Sequence, residues 1–161
     1  NLSPADFKRK DIVALITRVL DENQLEPKYL ELEITEGMVM SGADTVIATL
    51  NELHALGVDL AINDFGTGFS SLSYLKQFPV DTLKIDRSFI GNALNSANDR
   101  LIIKAIVGLA QALELTVTAE GVETCAQLEW LEEADCAAVQ GFHICQPQSA
   151  EDMERLVQKM G

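Results

Sequence analysis

Short apolar runs alternate with helical patterns along the whole chain. Five of the runs have the length and composition of strands that are buried on both faces, as strands of parallel sheets usually are. They cover residues 29–35, 58–63, 82–86, 116–120 and 137–142. Apolar residues between them recur at helical spacing within residues 12–20, 46–53 and 102–113. A further short helix is predicted at residues 70–78, and a capping box at residues 124–127 predicts a helix start. This alternation predicts a parallel α/β fold.

Two parallel architectures are compatible with the alternation, a doubly wound open sheet and an eightfold barrel. A doubly wound sheet often carries a glycine-rich phosphate loop after its first strand, and neither GxGxxG nor GxxxxGK[ST] occurs here. A barrel instead places polar residues at the carboxyl ends of several strands. The apolar runs end in this way, at Glu33, Asn63, Asp64, Asp86, Glu120 and Gln140. We therefore expect a TIM-like (β/α) barrel.

Charge limits the classes of partner. The 161 residues include 12 Lys and Arg against 25 Asp and Glu, which gives a net charge of −13. This balance excludes a basic surface for a nucleic acid polymer, because neutralising phosphates requires clustered Lys and Arg. A nucleotide held through divalent ions remains compatible, since carboxylates bind the metal and the metal binds phosphate.

The remaining composition is that of a folded domain without a membrane segment. Hydrophobic residues make up 47% of the chain, and no apolar run reaches the roughly 18–20 residues needed to cross a bilayer. The sequence opens with neither a signal peptide nor Met, so we expect a piece of a longer protein, with residues 1–161 in one domain. Cys125, Cys136 and Cys145 form no CxxC pair. They favour reduced thiols and a cytoplasmic location, either free or tethered to the inner membrane by other domains.

The polar strand ends predict a metal site. Charged groups at the ends of buried strands are costly unless they are paired or bind a metal, and four strand ends here supply acids. Hard oxygen ligands suit Mg²⁺ or Mn²⁺. The chemistry suggested is phosphodiester hydrolysis by metal-activated water, with Lys84 as a fixed positive charge. The alternative for any single acid is a helix cap or an ion pair.

The loop after residue 63 resembles the signature loop of the EAL-type cyclic di-GMP phosphodiesterases. It reads AINDFGTGFSSLSYL at residues 61–75, and from its glycines alone an ordinary βα loop would be the simpler interpretation. Five further segments match the family in the same order: NLS at 1–3, LELEITE at 30–36, TLKIDRSF at 82–89, TAEGVET at 118–124 and QGFHICQP at 140–147. The ordered set covers essentially the whole chain, so it is far more specific than one motif.

The resemblance implies a barrel whose carboxyl-terminal face binds cyclic di-GMP and two Mg²⁺ or Mn²⁺ ions. It also implies hydrolysis of one phosphodiester to linear pGpG. The metal ligands that it implies are Asn1, Glu33, Asn63, Asp64 and Glu120. Lys84 would position the attacking water, and Glu120 would serve as a metal ligand or general base. Glu36 and Glu123 would support the active-site loop. Gln140 would lie near the bound nucleotide, and Asp86 would lie near it or orient the residues around Asp86.

Two departures from the family pattern bear on activity. The Glu-Ala-Leu segment that names the family is absent from the chain, and its glutamate would be another ligand of the first metal. A full barrel has about 250 residues, so this chain would correspond to the C-terminal two-thirds of the domain, without the N-terminal strands. The family usually has Asp-Asp where this chain has Asn63 and Asp64. A neutral bridge should weaken a metal site, because the attraction to a carboxylate is lost.

Three functions therefore compete. The first is hydrolysis of cyclic di-GMP, and the second is a degenerate EAL domain that binds cyclic di-GMP as a sensor without cleaving it. The third is a structural part of a multidomain regulator that binds no ligand. The resemblance also implies other signalling domains in the intact protein and a homodimer formed through residues 70–78. The apolar side chains of that segment, Leu72, Leu75 and Phe78, would equally suit the core.

Overall fold

The computed structural model describes residues 1–9, 11–40, 44–68 and 75–160. Its helices are α1 (Ile12–Asn23), α2 (Glu36–Met40), α3 (Asp44–Ala55), α4 (Arg87–Asn92), α5 (Ala97–Ala112), α6 (Cys125–Glu133) and α7 (Ala150–Met160). Its strands are β1 (Glu31–Thr35), β2 (Asp59–Phe65), β3 (Thr82–Ile85), β4 (Thr116–Glu120) and β5 (Ala138–Gln140). Two short 3₁₀ turns lie at Asp6–Lys8 and Pro27–Tyr29.

The five strands form one parallel sheet in which each strand pairs with the next in sequence. A doubly wound sheet would reverse its strand order from a central strand, whereas consecutive order is that of neighbouring strands in a barrel. The parallel α/β prediction and the preference for the barrel order are thus confirmed. Within the described residues the sheet does not close, and its first edge is extended by Leu2, whose N–H donates to the Glu33 carbonyl at 2.8 Å.

The core lies between this sheet and its helices. All four residues of β3 are buried, as the central position of that strand requires. Helix α5 covers the sheet with the face that carries Ile103, Ile106, Val107 and Ala110. Among the described residues no helix has both the length and the hydrophobicity needed to span a bilayer.

The last strand is shorter than its apolar run. A run over residues 137–142 predicts a strand, but β5 ends at Gln140. The reason is Gly141, where an added Cβ would lie 2.1 Å from the Val122 carbonyl oxygen. The chain here turns across the loop after β4, and the His143 N–H donates to that same carbonyl at 2.9 Å. Phe142 is consequently 61% exposed.

Two predicted helix features have different outcomes. The capping box is confirmed, because the Thr124 side chain accepts from the Gln127 N–H and the Gln127 side chain accepts from the Thr124 N–H. The helix predicted at residues 70–78 falls largely on residues 70–74, which lie outside the described residues, as does Leu72. Leu75 and Phe78 are part of the core.

Candidate active site

Lys84 is the centre of a charged cluster at the carboxyl edge of the sheet. Its side chain is only 5% exposed, and its Nζ contacts a carboxylate oxygen of Glu33 and lies 3.0 Å from Glu120 Oε1. Glu31 Oε1 lies farther away, at 3.8 Å. Along β1, Glu31 and Glu33 alternate with two buried aliphatic residues, so both carboxylates lie on one face of the strand. One buried ammonium group therefore links strands β1, β3 and β4.

Neighbouring charges outweigh burial within this cluster. Burial disfavours the charged form of Lys84, but its hydrogen bonds to Glu33 and Glu120 prevail and raise the pKa of the ammonium above its usual value. Burial likewise disfavours ionised Glu33. The hydrogen bonds from Lys84 and Asn63 prevail, and they hold the pKa of the Glu33 carboxyl below its usual value. At neutral pH both groups are charged, so the cluster contains a fixed cation between carboxylates.

A bulge near the end of β2 presents Asn63 and Asp64 to this edge. The pairing of β2 with β3 shifts register between Ile62 and Phe65, and Asp64 adopts a left-handed backbone with a φ of 56°. Regular alternation would send consecutive side chains to opposite faces. A bulge re-aims them, so Asn63 reaches Glu33 and Asp64 comes within hydrogen-bonding reach of the Asp86 carboxyl.

Asn63 bridges two of the predicted metal ligands. Its Nδ2 donates to Glu33 Oε2 at 2.9 Å and to Asn1 Oδ1 at 3.2 Å. Its Oδ1 is buried and accepts no hydrogen bond from the described residues. The amide thus uses its donors toward the site and leaves its acceptor unused.

Asp86 caps helix α4 and lies beside a second carboxylate. One of its oxygens accepts from the Ser88 N–H at 2.9 Å and from the Ser88 hydroxyl. Burial alone would raise the pKa of Asp86, but these hydrogen bonds and that with Asp64 outweigh it and lower the pKa. Asp86 therefore has a structural role as an N-cap, which does not prevent it from contacting a ligand.

Glu36 lies beneath the glycine-containing loop. It is 4% exposed, and its Oε2 accepts the N–H groups of Gly66 at 3.1 Å and Gly68 at 3.3 Å. An added Cβ at Gly68 would lie 2.9 Å from Glu36 Oε1. A carboxylate that accepts backbone N–H groups fixes the path of the loop that follows Asp64.

The opposite side of the edge opens into a cavity of about 210 Å³. Its polar lining includes Glu120, Glu123 and Gln140, with Arg87 and Phe142 beside them. Glu120 is the register partner of Gln140, whereas Glu123 is exposed on the loop after β4. These three predicted residues thus come together, and Glu120 joins the cavity to the Lys84 cluster, of which it is also a member.

Three further residues contribute to the site without being predicted. Glu31 approaches Lys84, and Arg87 lines the cavity and packs against Gly121. Buried Gln127 accepts the Glu123 N–H at 2.8 Å and donates to the Ile90 carbonyl at 3.2 Å. The capping box gave a signal for Gln127. Glu31 is two residues before Glu33, and that spacing was the available signal for it.

The donor types suit a hard divalent cation. Carboxylate oxygens come from Glu33, Asp64, Asp86 and Glu120, and the unused Asn63 Oδ1 is a buried acceptor at the same edge. In the part of the chain that the structure describes, no three His, Cys, Asp or Glu side chains stand in a metal-binding arrangement. The oxygens of Glu33 face Lys84 and Asn63 instead. The oxygen donors are of the kind that a hard divalent ion prefers, but Lys84 and Asn63 already donate hydrogen bonds to two of these oxygens, those of Glu33.

Comparison with known proteins gives a consistent match. The model of the EAL domain family matches residues 1–147. Among curated proteins, the chain is 44% identical over 153 residues to the bifunctional diguanylate cyclase/cyclic di-GMP phosphodiesterase MucR of Pseudomonas aeruginosa. The alignment covers 95% of this chain and 22% of MucR. The chain spans about a fifth of the length of curated relatives such as MucR.

Solved structures agree with this match. The structure described as the PaMucR phosphodiesterase in complex with c-di-GMP superposes with a TM-score of 0.91 at 44% identity, over 95% of this chain and 62% of that one. A manganese and cyclic di-GMP complex of Klebsiella pneumoniae BlrP1 gives a TM-score of 0.79 at 33% identity, over 86% and 35% of the two chains. The expected barrel architecture of the EAL type is thereby confirmed, with a sheet that stays open among the residues that the structure describes.

Proposed function

The chain belongs to the EAL domain family, and on that premise we propose that residues 1–161, as part of one EAL domain, hydrolyse cyclic di-GMP. One phosphodiester is opened to give linear pGpG. The observation that carries the proposal is the buried Lys84, held between Glu33 and Glu120 at the edge where parallel strands present ligands. A cation fixed among acids suits an anionic phosphodiester and a water that must be oriented toward it.

Five residues would hold two Mg²⁺ or Mn²⁺ ions: Asn1, Glu33, Asn63, Asp64 and Glu120. Bound ions would supply Lewis acidity and an activated water. The raised pKa of Lys84 keeps it protonated, so it acts as a positive charge and hydrogen-bond donor and not as a base. Glu120 accepts from Lys84 at 3.0 Å, which orients its carboxylate for ligation or for removing a proton from the water.

Other residues would hold the nucleotide and the loop. Gln140 lines the cavity beside Glu120, and a primary amide there can both donate to and accept from a guanine edge. Asp86 at the neighbouring strand end would face the same ligand. Glu36 would hold the loop after Asp64 through Gly66 and Gly68, and Glu123 would support the loop after β4.

A second candidate function is binding without cleavage. The observation that favours it is the Asn63 amide, which places N–H donors against the oxygens of Asn1 and Glu33. A neutral residue at this position reduces the attraction for a divalent ion. Cyclic di-GMP would then be recognised by the cavity residues while the phosphodiester stays intact.

Product analysis separates the two functions. The purified protein is incubated with cyclic di-GMP and Mn²⁺ or Mg²⁺, the products are separated by chromatography, and Lys84→Met is the matched control. Formation of pGpG by the wild type alone supports the enzyme. Calorimetric binding without product supports the sensor, and the absence of both would overturn both functions.

The same proposal extends to assembly and location. We expect a homodimer, supported by an apolar groove of about 390 Å³ beside the loop, lined by Phe65, Ile102, Ala105, Ile106 and Leu109. Light scattering tests this, with Ile102→Glu expected to give monomers and exposed Lys104→Glu as the control. Further signalling domains and a cytoplasmic location complete the proposal, supported by the small share of each relative that the chain spans and by its unpaired cysteines.

A further inference from the structure

The environment of Asn63 determines which way its amide points. In the observed orientation Nδ2 donates to Glu33 Oε2 and Asn1 Oδ1. Turning the amide over would place its oxygen against Glu33 Oε2, and no hydrogen would lie between them. The Glu33 carboxylate, which can only accept when ionised, therefore fixes the orientation, although it leaves the buried Oδ1 of Asn63 without a hydrogen bond from the described residues. A buried oxygen without a hydrogen bond costs free energy, so the two hydrogen bonds donated by Asn63 Nδ2 outweigh that cost.

We infer that the Asn63 amide takes the place of a divalent cation between the side-chain oxygens of Asn1 and Glu33. Like an ion, Nδ2 sits between the oxygens of Asn1 and Glu33 and holds them together. A divalent ion must then displace this bridge, because it needs the same oxygens. The amide must also turn to offer Oδ1 as a ligand in place of its N–H groups. The competition part of this inference rests on the proposed metal site, and the bridge itself does not.

Asn63→Asp should lower the stability of the metal-free protein and strengthen metal binding by Asn1 and Glu33. A carboxylate at position 63 would face Glu33 Oε2 at the distance now spanned by a hydrogen bond, 2.9 Å. Lys84 already serves Glu33 and Glu120, so an added negative charge would be poorly compensated without metal. With metal present the same charge becomes an additional ligand. The added charge therefore destabilises the metal-free protein and stabilises the metal-bound one.

Thermal unfolding and calorimetry test both parts. Wild type, Asn63→Asp and Asn63→Ala are stripped with chelator and melted with and without Mn²⁺, and Mn²⁺ affinity is measured by titration calorimetry. Without metal we expect Asn63→Asp to melt about 5 °C below wild type and Asn63→Ala about 3 °C below it. Asn63→Asp should bind Mn²⁺ about tenfold more tightly than wild type and recover its melting temperature when saturated. Asn51→Asp is the control, because it adds the same charge at an exposed position on α3.

A direct readout does not depend on any variant folding. The side-chain NH₂ of Asn63 in wild type should exchange slowly with solvent in the chelated protein, and its protection should fall on saturation with diamagnetic Mg²⁺. A metal-free melting temperature of Asn63→Asp equal to or above that of wild type would overturn the bridge. Equal Mn²⁺ affinities, or an NH₂ signal unchanged by Mg²⁺, would overturn the competition. Absence of Mn²⁺ binding by both proteins would overturn the proposed metal site as well, while the metal-free melting order still decides the bridge.

Discussion

Two neighbouring parts of the carboxyl edge of the sheet differ in how the charges of their carboxylates are compensated. The amide half consists of Asn1, Glu33, Asn63 and Lys84, and each oxygen of Glu33 faces a nitrogen donor of Asn63 or Lys84. The acid half consists of Asp64 and Asp86, whose carboxyls lie within hydrogen-bonding reach of each other. In the amide half, nitrogen donors of the protein satisfy the Glu33 carboxylate, and the buried Asn63 Oδ1 is left without a hydrogen bond from the described residues. The acid half brings like charges together, which is favourable only when a cation lies between them or a proton is shared.

The difference indicates where an added cation matters most. In the acid half a divalent ion would bind two neighbouring carboxyls, whereas in the amide half it must compete with existing hydrogen bonds. Removing the charge of Lys84 from the amide half should therefore lower metal-free stability, whereas removing the charge of Asp64 from the acid half should raise it. Four substitutions, ordered from the largest expected effect to the smallest, test this contrast.

Lys84→Met should have the largest effect, because it leaves Glu33 and Glu120 facing each other without their shared cation. We expect the free energy of unfolding to fall by about 3 kcal/mol, as for other broken buried ion pairs. Hydrolysis of cyclic di-GMP should fall by about 10²- to 10³-fold. Urea denaturation and product chromatography measure the two effects, with exposed Lys104→Met as the control. A variant as stable as wild type would show that Lys84 does not hold the edge together.

Asp64→Asn should act in the other direction on stability. Asn tolerates the left-handed backbone at position 64 as well as Asp does, so the change removes charge without strain. Without metal, the melting temperature should rise by about 1–2 °C, because the Asn amide can donate to the Asp86 carboxylate, whereas an ionised carboxylate can only accept. Mn²⁺ affinity by calorimetry should fall by about tenfold. A lower metal-free melting temperature would mean that the Asp64 carboxyl is a better partner for Asp86 than an amide is.

Glu36→Gln tests the role of the loop that follows Asp64. The amide oxygen can still accept the N–H groups of Gly66 and Gly68, but without the charge that strengthens these hydrogen bonds. We expect activity to fall by about tenfold, equivalent to about 1.4 kcal/mol of transition-state free energy. Exposed Glu52→Gln, which also removes one acid, should leave kcat/KM unchanged. Equal rates for Glu36→Gln and wild type would remove Glu36 from the supporting residues.

Asp86→Ala should have the smallest effect, and one that depends on pH. The folded-state pKa of Asp86 is lowered, so its contribution is present above the unfolded value of about 3.9 and is lost as pH falls through the folded value. In chelator at pH 7 the variant should lose about 1 kcal/mol of stability with its cap, and the loss should shrink toward pH 3. Asp86→Asn keeps a good capping residue and removes the titration. A loss that is constant from pH 3 to pH 7 would contradict this account.

The sheet was predictable because its strands are consecutive and apolar. The five runs predicted the five strands that the structure describes, and the run at residues 116–120 coincides with β4. The end of β5 was not predictable from hydrophobicity, because Gly141 and Val122 bring two backbones together that are distant in sequence. Phe142 continues the apolar run and yet lies outside the strand.

The site was predictable as a set of strand ends but not as a network. Parallel pairing brings Glu33 and Glu120 to one edge whatever their rotamers. The choice of Lys84 as their shared partner, and the orientation of the Asn63 amide, depend on distances that no pattern encodes. The bulge at Asn63 and Asp64 breaks the alternation from which side-chain direction is usually inferred. The roles assigned to these residues by family resemblance stay predictions.

The sequential order of the strands also sets the order in which the site is assembled during synthesis. Asn1, Glu33 and Asn63 leave the ribosome before Lys84, which follows Asn63 by about one to four seconds at usual rates of translation. During this interval the nascent β1 and β2 can pair, and the amide of Asn63 is the donor available to Glu33 until the ammonium emerges. A carboxylate at position 63 would leave two like charges side by side on the same nascent pair of parallel strands. The amide that competes with metal in the finished site would thus protect its earliest folding step.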